Sequence, residues 1–244
     1  MPARHRPAER GTVPRLVLFD VDGTLISAHG AGRAAMARAL AEVYGTTGPI
    51  DAYDFRGRTD PQIVTDLMRA AGVPAATVEA RLGACLAAYV RALEPEVARR
   101  GVRVLPGLPA LLAALARRPD VLVGLLTGNI EAGARVKLAP TGLWSFFRLG
   151  AYGSDDPDRR RLPAVACARA RALLGREIPF EGVTIIGDTP LDVDCARACG
   201  ARAVAVATGW HSVDELRACA PDLLFADLAD VDTVLAALVD GAGA

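Results

Sequence analysis

The sequence predicts an α/β protein, a doubly wound parallel sheet with an all-helical segment set into it. Two observations carry that prediction. Short continuous apolar runs alternate with longer helix-like segments, the pattern of strands covered on both faces. Between the first and second of these runs, residues 31–103 give helix signals and no convincing strand. A chain of 244 residues can bury such a core without disulfides or a structural metal.

The clear strand candidates are residues 15–19, bounded by Asp20, residues 121–126, ending at Thr127-Gly128-Asn129, and residues 183–186, ending at Gly187-Asp188. Residues 149–153 are a weaker candidate, and 203–207 and 223–225 follow. Helix length and composition mark 108–117, 130–138, 162–174 and 190–199. Ser212-Val213-Asp214-Glu215 is a capping-box pattern that opens another helix, and 228–239 form the last. The intervening stretch reads as three or four helices, at 32–44, 60–71 and 75–100, with Pro95 near the end of the last. The expected division is a disordered leader at 1–12, a core from 13–29 and 104–244, and a helical subdomain at 30–103.

Composition narrows the function. Apolar residues make up 52% and charged residues 23%, as in an ordinary globular protein. Basic and acidic side chains balance at 28 each, which gives no footprint for nucleic acid or an anionic membrane. No apolar run approaches the roughly 18–20 residues of a membrane span. The Arg-rich start has no apolar segment behind it, so no secretory signal is expected. Five cysteines without framework spacing fit a reducing, cytoplasmic compartment. Cys195 and Cys199 are four apart, but no second pair completes a zinc site. Gly30-Ala31-Gly32-Arg33-Ala34-Ala35 mimics a dinucleotide fingerprint, yet it starts ten residues after the strand ends and reads as a helix start. Of the 28 basic residues only Lys137 is a lysine.

The strongest signal is Asp20-Val21-Asp22-Gly23-Thr24-Leu25, directly after the first apolar run. In an open parallel sheet ligands bind beyond the carboxyl ends of the strands. Residues two apart in extended chain face the same side, so Asp20 and Asp22 can approach one site. Two carboxylates at one strand tip repel unless a cation or proton is shared, and a divalent metal meets that need. Gly23 permits the sharp turn that follows.

These residues resemble the first motif of the haloacid dehalogenase superfamily. Its other motifs follow in order. Thr127 ends the next core strand, and Gly187-Asp188-Thr189-Pro190-Leu191-Asp192 matches the acidic fourth motif. The helical stretch matches the cap of one branch, the phosphoglycolate phosphatase-like one, and the core would be Rossmann-like. The resemblance spans residues 15–239. The third motif departs: the family places a lysine or arginine there, often in K-P-x-P, which this chain lacks. Arg159, in Asp158-Arg159-Arg160-Arg161-Leu162-Pro163, is the first choice, with Arg160 and Lys137 as alternatives. Lys137 lies ten residues past Thr127, about 15 Å of helix rise, along a helix expected to run away from the strand tips.

The resemblance implies a magnesium-dependent phosphatase acting on a small phosphorylated metabolite through an aspartyl-phosphate. Asp20 is then the nucleophile and Asp22 the general acid, then base. Mg2+ is held by the Asp20 carboxylate, the Asp22 carbonyl and Asp188, with Asp192 on a metal water or orienting Asp188. Thr127, Gly128 and the helix start near Asn129 would bind phosphoryl oxygens, and the third-motif cation would neutralise Asp20. Asp22 favours phosphoryl transfer over carbon–halogen cleavage. The absence of lysine between residues 31 and 103 excludes the Schiff-base branch. Arg56 or Arg58, in the charged segment 54–60, would read a substrate carboxylate or second phosphate, while Asp60 is a candidate helix N-cap. The alternatives are a phosphomutase on a sugar phosphate and a catalytically silent binding protein on the same fold. The chain is expected to be a monomer or homodimer.

Overall fold

A computed structural model describes residues 15–239; the expected leader at 1–12 lies outside them. Strands β1 (Arg15–Phe19), β4 (Val121–Thr127), β5 (Leu149–Tyr152), β6 (Val183–Gly187), β7 (Arg202–Val206) and β8 (Leu223–Phe225) form one parallel sheet in the order β5-β4-β1-β6-β7-β8. β1 lies between β4 and β6, at the point where the winding reverses and where ligands of open α/β sheets bind. The alternation in β1 shows why the run is apolar throughout. Leu16 and Leu18 join one buried cluster with Leu162, Ala166 and Val193, while Val17 and Phe19 join another on the opposite face.

Helices α4 (Leu108–Ala116), α5 (Glu131–Leu138), α6 (Leu162–Leu174), α7 (Pro190–Cys199), α8 (Val213–Ala218) and α9 (Val231–Val239) connect or flank these strands. Three helices precede them in the chain: α1 (Ala31–Tyr44), α2 (Asp60–Ala70) and α3 (Ala75–Arg100). They pack on one another through Met36, Leu40, Leu67, Cys85 and Leu93, and their apolar cluster is continuous with Phe19 and Leu125 of the sheet. This helical insert enters and leaves through a small antiparallel pair, β2 (Ile26–Ser27) with β3 (Arg103–Val104). The sequence predicts neither strand, because two residues are too few to show a period. It also started the last helix three residues early, at 228 rather than Val231. Pro95 sits inside α3, which runs on to Arg100.

The end of α3 is fastened to the start of the insert by a buried charge. Glu96, only 1% exposed, accepts from Arg99 at 2.6 Å and Arg100 at 2.7 Å and pairs with Arg38 at 2.7 Å. Arg100 donates onward to the His29 carbonyl at 2.9 Å, where His29 adopts a left-handed φ of 49°. The bonds from Arg100 and then Arg99 hold the Glu96 carboxyl down to about 2, against the opposing effect of burial. Because the folded value lies below the ordinary 4.5, ionised Glu96 stabilises the fold above about pH 4.5, and that stabilisation is lost as the pH falls toward 2. Glu96→Gln is therefore expected to melt earlier than the wild type at neutral pH, with the two thermal melts converging as the buffer is taken from pH 4.5 down to about 2. A gap that persists unchanged through that window would contradict the assignment.

Candidate active site

The tips of β1, β4 and β6 bring the chemistry-bearing residues together. Asp20 follows β1, and its amide still donates to the Ile186 carbonyl at 2.9 Å, so the residue is held in register with the sheet. The chain then folds back sharply: the amides of Leu25 and Ile26 donate to the Val21 carbonyl at 2.9 and 3.0 Å. Gly23 makes this turn at a φ of 87°, and a Cβ there would lie 2.3 Å from an Asp188 carboxylate oxygen. The glycine thus lets the β1 loop close over the β6 tip.

Asp20, Asp188 and Asp192 are buried, and one carboxylate oxygen from each lies within 4.8 Å of the others. Asp188 accepts from the Thr24 hydroxyl through Oδ1 at 3.2 Å, while its buried Oδ2 has no hydrogen-bond partner among the described residues. Burial, then Asp20 and Asp192, push the Asp188 carboxyl well above its ordinary range. Burial also raises Asp20, with Arg159 opposing. Converging buried carboxylates with an orphaned oxygen form a donor set of hard oxygens, the kind that suits Mg2+. Asp192 is otherwise engaged. Its Oδ2 accepts from the Thr189 amide and hydroxyl at 3.0 and 2.8 Å as the capping box of α7, and its Oδ1 faces Arg159 at 2.5 Å.

Of the three consecutive arginines, only Arg159 enters the site. It opens a 3-10 turn capped by the Asp158 side chain, and its buried guanidinium reaches Asp20 Oδ1 at 3.1 Å as well as Asp192. Arg160 points outward to Asp194 at 2.8 Å. Of the cations expected at this point of the chain, Arg159 is the one that stands beside Asp20.

Lys137 is nevertheless in the site, contrary to the helix-rise argument. α5 does not begin until Glu131, so Lys137 lies six residues into the helix, about 9 Å of rise. Its long side chain turns back toward the helix start, as helical side chains do. The buried ammonium donates to Asp22 Oδ2 and to Asn129 Oδ1, each at 2.6 Å. Burial disfavours its charge, but Asp22, Tyr89 and Asp60 outweigh that and hold it protonated. Asn129 lines the same site. Its side chain donates to Asp22 Oδ2 and to the Thr127 hydroxyl, both at 2.9 Å, so it ties these residues together. The α5 start is likewise taken: the Ile130 amide donates to Asp60 Oδ2 at 2.8 Å. Asp60 is the first residue of α2, and Thr59 is the N-cap, accepting from the Gln62 amide at 3.2 Å.

The insert roofs this site. The Asp60 amide donates to the Gly128 carbonyl at 2.8 Å, and a Cβ on Gly128 would lie 2.0 Å from the Arg58 carbonyl, so only glycine admits the contact. Between roof and strand tips is a cavity of about 840 Å³, lined by Asp20, Asp22, Thr127 and Lys137 below and by Arg56 and Arg58 from the insert. Arg56 forks onto Asp54, with Nε and Nη2 at 2.8 and 3.0 Å from its two oxygens. Arg58 donates to the Asp54 carbonyl at 3.1 Å and lies over the Tyr53 ring. Arg33, which the sequence reading did not single out, also lines the cavity and stacks on Phe55. Asp60 as a contact to the core, and Tyr89, were missed as well. Their only sequence signal was a polar group amid helical apolar residues.

A family model described as haloacid dehalogenase-like hydrolase matches residues 17–197. The chain belongs to that family. This hydrolase is 30% identical over 228 residues to a phosphoglycolate phosphatase of Pseudomonas putida, covering 89% of this chain and 78% of that one. It is 31% identical over 208 residues to the phosphoglycolate phosphatase of Rhodospirillum rubrum, covering 81% of each. Among solved structures, a hydrolase from Pseudomonas syringae superposes with a TM-score of 0.70 at 21% identity, covering 94% of this chain and all of that one. CbbY from Rhodobacter sphaeroides, in complex with phosphate, does so with a TM-score of 0.62 at 17% identity, covering 90% and 96%. At such identities these two structures establish the fold of the hydrolase.

Removing the cation that faces two buried carboxylates leaves both uncompensated, which costs about 3–5 kcal/mol. Arg159→Met is expected to lose that much in urea denaturation, while Arg160→Ala, at a surface pair, stays within about 0.5 kcal/mol of the wild type. Equal losses in the two variants would contradict the division of roles.

Proposed function

We propose that this hydrolase is a phosphatase acting on a small phosphorylated metabolite, with phosphoglycolate the first candidate, through an aspartyl-phosphate. The observation that carries the reading is the placement of Asp20. It is a buried carboxylate at the central strand tip, faced by Arg159 and flanked two residues on by a second, partly exposed carboxylate, Asp22. The names of the relatives support the substrate class, and the guanidinium-bearing wall of the insert supports a second anionic group on the substrate.

In this reading Asp20 attacks phosphorus and displaces the alcohol. Asp22 gives the departing oxygen its proton, and later takes one from the water that opens the phosphoenzyme. Arg159 holds Asp20 ionised and aimed, and Asp192 holds Arg159. Thr127 and the Gly128 amide bind phosphoryl oxygens. Mg2+ would be held by Asp20, Asp188 and the main chain at Asp22, and when bound it offsets negative charge on the carboxylates and the phosphoryl group. The helical insert serves as the cap that covers the substrate and shuts out water. Among the described residues no helix is long and apolar enough to cross a membrane, and the five cysteines are unpaired, which fits a reducing compartment such as the cytoplasm.

The purified protein with Mg2+ is expected to release phosphate from phosphoglycolate and from p-nitrophenyl phosphate. EDTA should stop the release and added Mg2+ restore it. Asp20→Asn should lower kcat by on the order of 10⁴-fold or more. A folded wild type inert toward a panel of phosphorylated metabolites, or an Asp20→Asn variant as active as the wild type, overturns the reading.

A further inference from the structure

Two buried cations stand at this site, and the mechanism above uses one. Arg159 serves Asp20. Lys137 serves Asp22. Its ammonium donates to Asp22 Oδ2 and to Asn129 Oδ1, and the Tyr89 hydroxyl lies on its remaining side. Asn129 closes the ring by donating to the same Asp22 oxygen at 2.9 Å. Asp22 Oδ2 is therefore gripped from two sides, which leaves Oδ1 as the oxygen that meets the substrate.

The grip is completed from the insert. Tyr89 of α3 is 1% exposed and Asp60 of α2 is 7% exposed, and both face Lys137. α1 closes the third side: a Cβ on its Gly32 would lie 3.3 Å from the Lys137 nitrogen and 3.6 Å from the Tyr89 hydroxyl. Each of the three insert helices thus meets one core ammonium. A buried lysine needs compensating partners. Here part of that compensation arrives only when the insert is seated on the core.

We propose that Lys137 is a positioning residue for Asp22, and that Tyr89 and Asp60 of the insert hold Lys137 to that task, so that the acid–base carboxylate is aimed only while the insert covers the site. This rests on the phosphatase reading. It predicts that losing Lys137 injures the two proton transfers and spares the attack by Asp20.

The test uses the full chain carrying Lys137→Met or, should that variant fold poorly, Tyr89→Phe. p-Nitrophenyl phosphate has a leaving group that departs without a proton, whereas phosphoglycolate has one that needs it. For Lys137→Met, kcat on phosphoglycolate is expected to fall about a hundredfold with little change in KM. First-turnover nitrophenolate release should stay within severalfold of the wild type, and acid quench followed by mass spectrometry should show the phosphoenzyme accumulating. Tyr89→Phe should show the same signature at about fivefold. Equal losses on the two substrates without accumulation of phosphoenzyme, or no loss, overturn the proposal. So does a crystal structure of Lys137→Met with the Asp22 carboxylate unmoved, a readout that holds whether or not the wild type turns over these substrates. An inert wild type, or an active Asp20→Asn, instead identifies failure of the phosphatase reading itself.

Discussion

Four carboxylates converge on the carboxyl edge of one sheet, and the structure is organised around the repulsion among them. Asp20, Asp188 and Asp192 are buried within reach of one another, and Asp22 stands two residues from the first. Such a cluster is unfavourable unless positive charge is supplied at fixed points. Arg159 supplies it to Asp20 and Asp192, and Lys137 supplies it to Asp22 near Asp60. Asp188 keeps an oxygen unpartnered among the described residues, the donor a divalent cation would take. Two carboxylates of the same short motif thus receive separate cations.

The scaffold makes this arrangement possible. Parallel pairing of β1 with β4 and β6 puts three strand tips side by side, so residues distant in sequence meet without any long search through loops. Capping boxes and short turns then fix the loops. Asp192 caps α7 and turns to Arg159 with its other oxygen, so one side chain serves helix start and charge balance together. The insert is bound to this edge by more than apolar packing. Asp60 bonds the Gly128 carbonyl and the Ile130 amide, so the roof is stitched to the loop that follows β4.

The departures from the sequence reading have a common cause. Motif and strand order follow from local patterns of period two and of apolar runs, so Asp20, Thr127 and Asp188 were legible at strand ends before any coordinates. The place of Lys137 was not. It depended on where α5 begins, and a four-residue delay after Thr127 turns a 15 Å displacement into about 9 Å, within reach of a long side chain. The side-chain partners of Asn129 and Asp60 were not legible for a related reason: a polar side chain near a helix start has several possible partners, and only the packed neighbours decide among them.

By itself the sequence determined the α/β sheet, the helical segment between its first two strands, and the acidic residues at the strand tips. Each of these is written in patterns a few residues long and in their order along the chain. Tertiary structure decided which cation faces which carboxylate, which of three adjacent arginines turns inward, and which helices of the insert close on Lys137. Those outcomes depend on distances between segments about seventy to over a hundred residues apart, as for Ile130 with Asp60 and Lys137 with Asp22. No local pattern encodes such distances. They are set by how the burial of apolar surface and the neutralising of buried charge are satisfied at the same time.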